Sequence, residues 1–388
     1  MSVPPPRDVL IPIRTPPEIP VPLVDLRAAH EEIVAEVRSG FDRVLESSTF
    51  ILGPEVEAFE KEFADFTGAR YCVGLSSGTD ALELALRAAG IGAGDEVLLP
   101  ANTFIATALA VIRAGATPAL VDCDPVHHLL DPADLEARFT SRTRAVLPVH
   151  LYGQCAPMEA IHDRLGGRNI LVIEDCAQAQ GATRLGRGAG TMSTAGATSF
   201  YPGKNLGAYG DAGAVVTDDE RLAAEIRVLR NYGSTKKYEH PSVGFNCRLD
   251  ALQAVVLRAK LARLYDWNHK RRLAASHYDR LLESVDGIRS VPTMDGNEHV
   301  HHLFVIEVLE GRRDEVLSEL HGKGIGAGIH YPDPIHCTGA FAHLGYGPGD
   351  FPVSERASKS VLSLPLFPQI TPEQQEWVIV CLEEALRG

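Results

Sequence analysis

The chain has 388 residues, 45% of them hydrophobic and 23% charged, with a net charge of −14. This length suits two domains around a full core, and the composition is that of an ordinary soluble globular protein. So acidic a balance argues against a nucleic-acid partner, which needs clustered Lys and Arg, but leaves room for a pocket that takes a phosphorylated small molecule.

Residues 1–20 are proline-rich and read as an extended arm. They lack the charged-then-apolar layout of a signal peptide, and no later run approaches the ~18 apolar residues of a membrane helix. A cytoplasmic protein without membrane contact is expected. Folded sequence begins at Val21, and a helical pattern covers Glu31–Leu45. Strands and helices then alternate: strand Tyr71–Leu75, helix Thr79–Ala89, strand Glu96–Leu99, helix Phe104–Ala114. Further short strands are predicted at Pro118–Val121, Ala145–Val149, Ile170–Glu174, Ala197–Tyr201 and Gly213–Thr217. Such alternation implies an α/β layer with a mostly parallel sheet and helices on both faces. A long helix is expected from Arg248 to Leu282, then a strand at Leu303–Val308, a helix at Arg312–Lys323, a loop rich in Gly, Pro and His, and a last helix at Pro372–Leu386. The division expected is 21–262 as a large domain and 263–388 as a smaller one. The seven cysteines show no zinc-like spacing and read as buried, reduced thiols.

The most informative segment is Ser199-Phe-Tyr-Pro-Gly-Lys-Asn-Leu-Gly-Ala-Tyr-Gly-Asp-Ala-Gly213. It holds Lys204 between turn-forming residues and apolar neighbours, which lowers a lysine pKa and makes the amine a better nucleophile. A surface lysine in a glycine-rich loop is the plain alternative. A P-loop fails here, because position 198 is Thr rather than Gly and Asn205 stands where a hydroxyl would hold magnesium. Gly186-x-Gly188-x-Gly190 does not join a strand to a helix, so it is no dinucleotide fingerprint.

Three other segments supply what a pyridine-aldehyde phosphate would need. In Ser76-Ser-Gly-Thr-Asp-Ala-Leu82, small residues at a strand-to-helix junction let backbone N–H groups reach a phosphate; an ordinary N-cap explains the same residues. Phe104, just past Pro100-Ala-Asn-Thr, reads either as a ring stacked on a cofactor or as a core anchor. Ile170–Gln180 delivers Asp175 to the C-terminal end of an apolar strand, where a carboxylate can keep a pyridine nitrogen protonated. Gln178 follows within reach of a phenolic oxygen or a substrate, and Ser199 is a second phosphate candidate.

Together these segments resemble the DegT/DnrJ/StrS family of sugar aminotransferases, from Val21 to the C-terminus. Further marks are Val149-His-Leu-Tyr-Gly-Gln154, Asn231-Tyr-Gly233, Asn246-Cys-Arg-Leu-Asp-Ala-Leu-Gln253, Ile329-His-Tyr-Pro332 and Leu362-Ser-Leu-Pro365. The resemblance implies a pyridoxal-phosphate transferase of fold type I, like aspartate aminotransferase. It implies Lys204 as the Schiff-base lysine, Asp175 as the pyridine partner, Gln178 near the phenolic oxygen and Phe104 on the ring. Gly78, Thr79 and Ser199 would hold the phosphate, with Asn246 reaching in from the other subunit of a homodimer. The implied substrates are L-glutamate, leaving as 2-oxoglutarate, and a nucleotide-linked keto-sugar, most like a dTDP-3-keto-6-deoxyhexose. A 4-keto-sugar, a keto-inositol, dehydratase chemistry and a non-catalytic cofactor-binding regulator are the alternatives. His330, Tyr331 and His336 are read as a polar cluster for the nucleotide-sugar. Arg248 pairs either with a substrate anion or with Asp250 or Glu220, and Lys236-Lys237 reads as a solvated pair.

Overall fold

A computed structural model describes residues 20–387, so the expected arm lies outside the described residues except for Pro20. Short apolar runs form one seven-stranded sheet: β1 (Tyr71–Leu75), β2 (Glu96–Pro100), β3 (Thr117–Val121), β4 (Thr143–Val146), β5 (Leu171–Asp175), β6 (Ala195–Ser199) and β7 (Gly213–Thr217). Their spatial order is β1-β7-β6-β5-β4-β2-β3. β7 is antiparallel to both neighbours and the remaining pairs are parallel.

Alternate residues on each strand serve opposite faces. Val97, Leu99 and Ile173 enter one core with helix α1 (Gly78–Ala88), while Leu98 and Val172 enter a second core behind the sheet. With both faces buried, the strands read as near-continuous apolar runs. Helix α2 (Ile105–Ala114) packs beside α1 and follows directly on Phe104, its N-cap.

Helix α3 (Ala251–Leu282) is unbroken past position 262, and it begins later than the pattern from Arg248 suggests. Arg248 and Asp250 are instead held in backbone bridges to Leu75 and Ile51. A second, antiparallel sheet joins Ile288–Ser290, Phe304–Val308 and Val361–Leu364. Its core takes Ile306, Leu362 and Leu364 with Val378 and Leu382 of the last helix, Pro372–Arg387. Val21 belongs to this same core and bridges Ile325. All seven cysteines are free, and only Cys337 is exposed. Among the described residues no helix is long and apolar enough to cross a membrane.

Phe200 closes β6 and ties the following loop to the core. It is fully buried, with its ring edge-on to Phe59 at 5.4 Å and Phe63 at 5.2 Å. Phe200→Ala should cost about 3–5 kcal/mol, read from the urea midpoint of the apo-protein. A loss below about 1 kcal/mol would show that this cluster does not fix the strand end.

Candidate active site

The C-terminal ends of β1, β5 and β6 share one rim of the sheet, the edge at which open α/β sheets bind ligands. A cavity of about 480 Å³ lies there, lined by Gly78, Thr79, Phe104, Asp175, Gln178, Ser199 and Lys204 among others. The sequence placed these residues in four separate segments, and the fold gathers them.

β1 runs into α1 through Ser76 and Ser77. Ser77 caps the helix, accepting the Asp80 N–H at 3.1 Å, and both serine hydroxyls donate to Asp80 Oδ2 at 2.6 and 2.8 Å. That leaves first-turn N–H groups with no partner inside the helix, where Gly78 and Thr79 line the cavity. A Cβ on Gly78 would fall 2.5 Å from the Ser199 Cβ, so β6 and the first turn of α1 touch only because position 78 is glycine. The result is a small cradle of donors at a helix N-terminus, which suits a phosphate.

β5 ends on Asp175. Its Oδ2 accepts from Thr107 at 2.8 Å and its Oδ1 from the Ala177 N–H at 3.1 Å, while Thr107 is hydrogen-bonded in turn to Thr103 at 2.9 Å. Burial pushes this carboxyl up, and those bonds, together with the Lys204 charge, pull it back toward the ionised form. Gln178 is fixed at both ends of its amide: Oε1 accepts from the Tyr152 N–H at 2.6 Å, and Nε2 donates to the Tyr331 hydroxyl at 2.9 Å. The Phe104 ring is 50% exposed and lies 5.1 Å from that of Tyr331.

Glu174, one residue earlier, points to the other side of the strand. It accepts from His150 Nε2 at 2.8 Å, from the Gly190 and Met192 N–H groups at 2.7 and 2.8 Å, and from Ser193 Oγ at 2.8 Å. With Cys176 these side chains are close enough for a metal. The carboxylate is already saturated, however, and His150 Nδ1 accepts the Ala156 N–H at 3.0 Å, so no lone pair is left to ligate. This cluster is a brace beneath the site.

Lys204 sits in a tight turn in which its N–H donates to the Tyr201 carbonyl at 2.8 Å. A Cβ on Gly207 would fall 2.3 Å from the Pro202 carbonyl oxygen, so the turn closes on itself only with glycine there. Lys260, buried on α3, donates to the Gly207 carbonyl at 2.6 Å and holds the loop from beneath. Burial pushes the Lys204 amine down to about 8, against an opposing pull from the Asp175 charge. Its amine has no hydrogen-bond partner among the described residues.

Three contributors escaped the sequence reading: Thr107, Lys260 and His302. Thr107 lies in the first turn of α2, three residues after the N-cap Phe104, whose carbonyl accepts the Thr107 N–H at 3.1 Å. Lys260 and His302 come from distant segments, and nothing in their local sequence points to the cavity. His330 and Tyr331 line the cavity as expected; His330 Nδ1 is bonded to Ser363 Oγ at 2.8 Å, and burial pushes its imidazole down to about 4. His336 does not join them. Its Nε2 meets Glu355 at 3.0 Å and its ring packs on Phe351 at 4.8 Å, because the short helical turn that carries it folds away from the cavity. Arg248 stacks on Tyr232 at 5.0 Å and donates to Asn231 at 3.1 Å, rather than pairing with Asp250 or Glu220. Lys236 lies near Glu239 at 4.0 Å and Lys237 over the Tyr238 ring at 5.2 Å. Asn246 is exposed, bridges Asn231 and does not line this chain's own cavity.

A carboxylate for a pyridine nitrogen, a donor cradle for a phosphate, a neutral-leaning amine for an aldehyde and an aromatic face thus line one space. They fit pyridoxal phosphate. Residues 31–383 match the model of the DegT/DnrJ/EryC1/StrS aminotransferase family. The erythromycin biosynthesis sensory transduction protein EryC1 of Saccharopolyspora erythraea is 48% identical, covering 94% of this chain and 99% of its own. The dTDP-3-amino-3,4,6-trideoxy-alpha-D-glucose transaminase of Streptomyces venezuelae is 46% identical, covering 94% and 96%. The crystal structure of S. venezuelae DesV with a ketimine intermediate superposes with a TM-score of 0.92 at 46% identity, over 94% of this chain and 98% of that one. The chain therefore belongs to the DegT/DnrJ/EryC1/StrS aminotransferase family, on the fold of the pyridoxal-phosphate-dependent aminotransferases, with pyridoxal 5′-phosphate as its cofactor.

Proposed function

We propose that this enzyme aminates carbon 3 of a dTDP-linked 3-keto-6-deoxyhexose with L-glutamate as amino donor. The observation that carries the reading is the convergence of Lys204 and Asp175 on one cavity. The 46% identity to a transaminase named for a dTDP-3-amino sugar supports the choice of ring position.

The cofactor supplies an electron sink for the charge that builds up when the donor loses its α-proton. The rest is done by the chain. Lys204 takes the α-proton of glutamate as a neutral amine, and in the second half-reaction its ammonium form delivers a proton to the carbon that was the sugar's carbonyl and returns to the neutral amine. The Asp175 carboxyl, whose bonds from Thr107 and Ala177 favour its ionised form against its burial, would accept a hydrogen bond from the pyridine N–H. Gly78, Thr79 and Ser199 would hold the phosphate, Gln178 would meet the phenolic oxygen, and Phe104 would cover the ring.

Asn246, exposed and outside its own chain's cavity, would complete the phosphate site of a neighbouring subunit. This implies a two-fold homodimer with a shared site; a cytoplasmic location is part of the same proposal and rests on the sequence reading alone. Its two working bodies would meet within α3 rather than at residue 262, with Val21 joining the C-terminal one.

Only the neutral amine can take up the cofactor. The rate of pyridoxal-phosphate capture by the apo-protein should therefore rise about tenfold per pH unit at low pH and level off above about 8, followed by visible absorbance. A rate still climbing near ~pH 10 would mark an ordinary exposed lysine. For the substrate, the loaded enzyme is given glutamate with dTDP-linked 3-keto- and 4-keto-6-deoxyhexoses and a keto-inositol, and 2-oxoglutarate and product mass are followed. Amination of the 3-keto sugar at least ~100-fold faster than of the others is expected, a margin of about 2.7 kcal/mol between substrates. Preference for either other substrate would overturn the carbon-3 assignment, and no glutamate-dependent amination at all would overturn transamination.

A further inference from the structure

His302 lines the same cavity, and its charge state and tautomer can be worked out from its neighbours. The chain of reasoning begins at Asn205, the residue next to Lys204. One end of the Asn205 amide faces the Val300 carbonyl at 3.0 Å, an atom that can only accept, so that end is the NH₂. The same NH₂ donates to Asn268 Oδ1 at 3.0 Å, and Asn268 is fixed because its own NH₂ donates to the Gln180 carbonyl at 2.9 Å. Asn205 Oδ1 is then an acceptor, and it faces His302 Nδ1 at 3.2 Å. The His302 proton therefore sits on Nδ1, which leaves Nε2 with a bare lone pair.

The ring is also kept neutral. Burial, together with the Lys204 and Arg271 charges, pushes its imidazole well below the usual histidine range. Its place is set by a close backbone approach: a Cβ on Gly153 would fall 2.8 Å from the His302 nitrogen, and the flanking Val300 and Leu303 N–H groups donate to the Gly153 and Tyr152 carbonyls. A neutral imidazole with its lone pair at a cavity shared with an otherwise unbonded lysine amine has one obvious donor to receive.

We propose that His302 is a positioning residue for Lys204: when turnover releases the Lys204 amine from the cofactor, the amine turns to His302 and donates a hydrogen bond to its Nε2, which keeps it aimed for proton transfer. This rests on the reading of Lys204 as the proton-transferring amine. The Asn205 amide links both residues, so the aim of the lysine and the tautomer of the histidine are set by one buried network.

Two substitutions separate this role from a merely structural one. His302→Asn places an amide where Nδ1 was, keeping the bond to Asn205 and removing the acceptor at the cavity. His302→Gln places its carbonyl oxygen where Nε2 was, keeping the acceptor. We expect H302N to lower kcat about ten- to hundredfold with little change in the KM for glutamate, and H302Q to recover at least about tenfold of that loss. An independent readout uses the apo-protein, in which the pH dependence of Lys204 acetylation by acetic anhydride, measured by peptide mass spectrometry, gives the apparent pKa of the amine. An acceptor stabilises the ammonium form, so H302N should lower that pKa by about one unit and H302Q should hold it near the wild-type value. If H302N behaves as wild type while H302Q fails, the bond to Asn205 is what matters and the proposal is overturned. Equal loss, or equal retention, in both variants overturns it as well. Lys204→Ala is the control for the underlying reading: if that variant still transaminates, the lysine assignment fails whatever the His302 variants do.

Discussion

The site depends on burying a lysine amine beside a cavity with no carboxylate bonded to it. Desolvation disfavours the ammonium form, and only the more distant Asp175 charge opposes it, so the amine is poised near neutrality. An ion-paired lysine would be held charged and useless as a base. Keeping an unpaired amine in such a place takes a stiff support, and the chain supplies it locally: Phe200 is anchored edge-on between two rings, Gly207 lies against the Pro202 carbonyl, and Lys260 bonds the loop from below. The loop is rigid for reasons that have nothing to do with the cofactor, which is the condition for a preorganised site.

The adjacent acids Glu174 and Asp175 show how strand geometry assigns chemistry. The pleat sends them to opposite faces. Glu174 meets a ring of donors that lowers its pKa despite its burial, and it braces the strand. Asp175 meets few donors, is pushed up by burial, and keeps acceptor capacity facing the cavity. Two identical kinds of group, one residue apart, thus become a structural anchor and a partner for a protonated ring nitrogen.

Much of this was legible in the sequence because the informative residues sit at strand ends, where local pattern fixes position. Asp175 closes an apolar run, Gly78 and Thr79 open a helix after one, and Ser199 ends another, so their convergence follows from the α/β pattern alone. Less visible were elements whose pattern is masked by complete burial, such as Val361–Leu364, which is buried at every position and sits in a stretch read as loop. The helix Pro54–Thr67 went unassigned although Pro54 at its first turn and the acids Glu55 and Glu57 are start signals. Lys260 and His302 could not be read at all, because each reaches the site through tertiary packing from a segment with no motif. His336 shows the converse: proximity in sequence to His330 and Tyr331 did not survive the turn between them.

Lys260 is also what makes the central assignment sharply testable. Its amine, like that of Lys204, is pushed down to about 8 by burial. A depressed pKa therefore does not single out the cofactor lysine; the cavity does, since Lys204 lines it and Lys260 is spent on the Gly207 carbonyl. Reducing the loaded enzyme with sodium borohydride fixes the cofactor to whichever lysine holds it, and peptide mass spectrometry then reads the position. The account predicts the phosphopyridoxyl mass on the peptide containing Lys204 and none on that containing Lys260. Label on Lys260, or on any other lysine in place of Lys204, would contradict it.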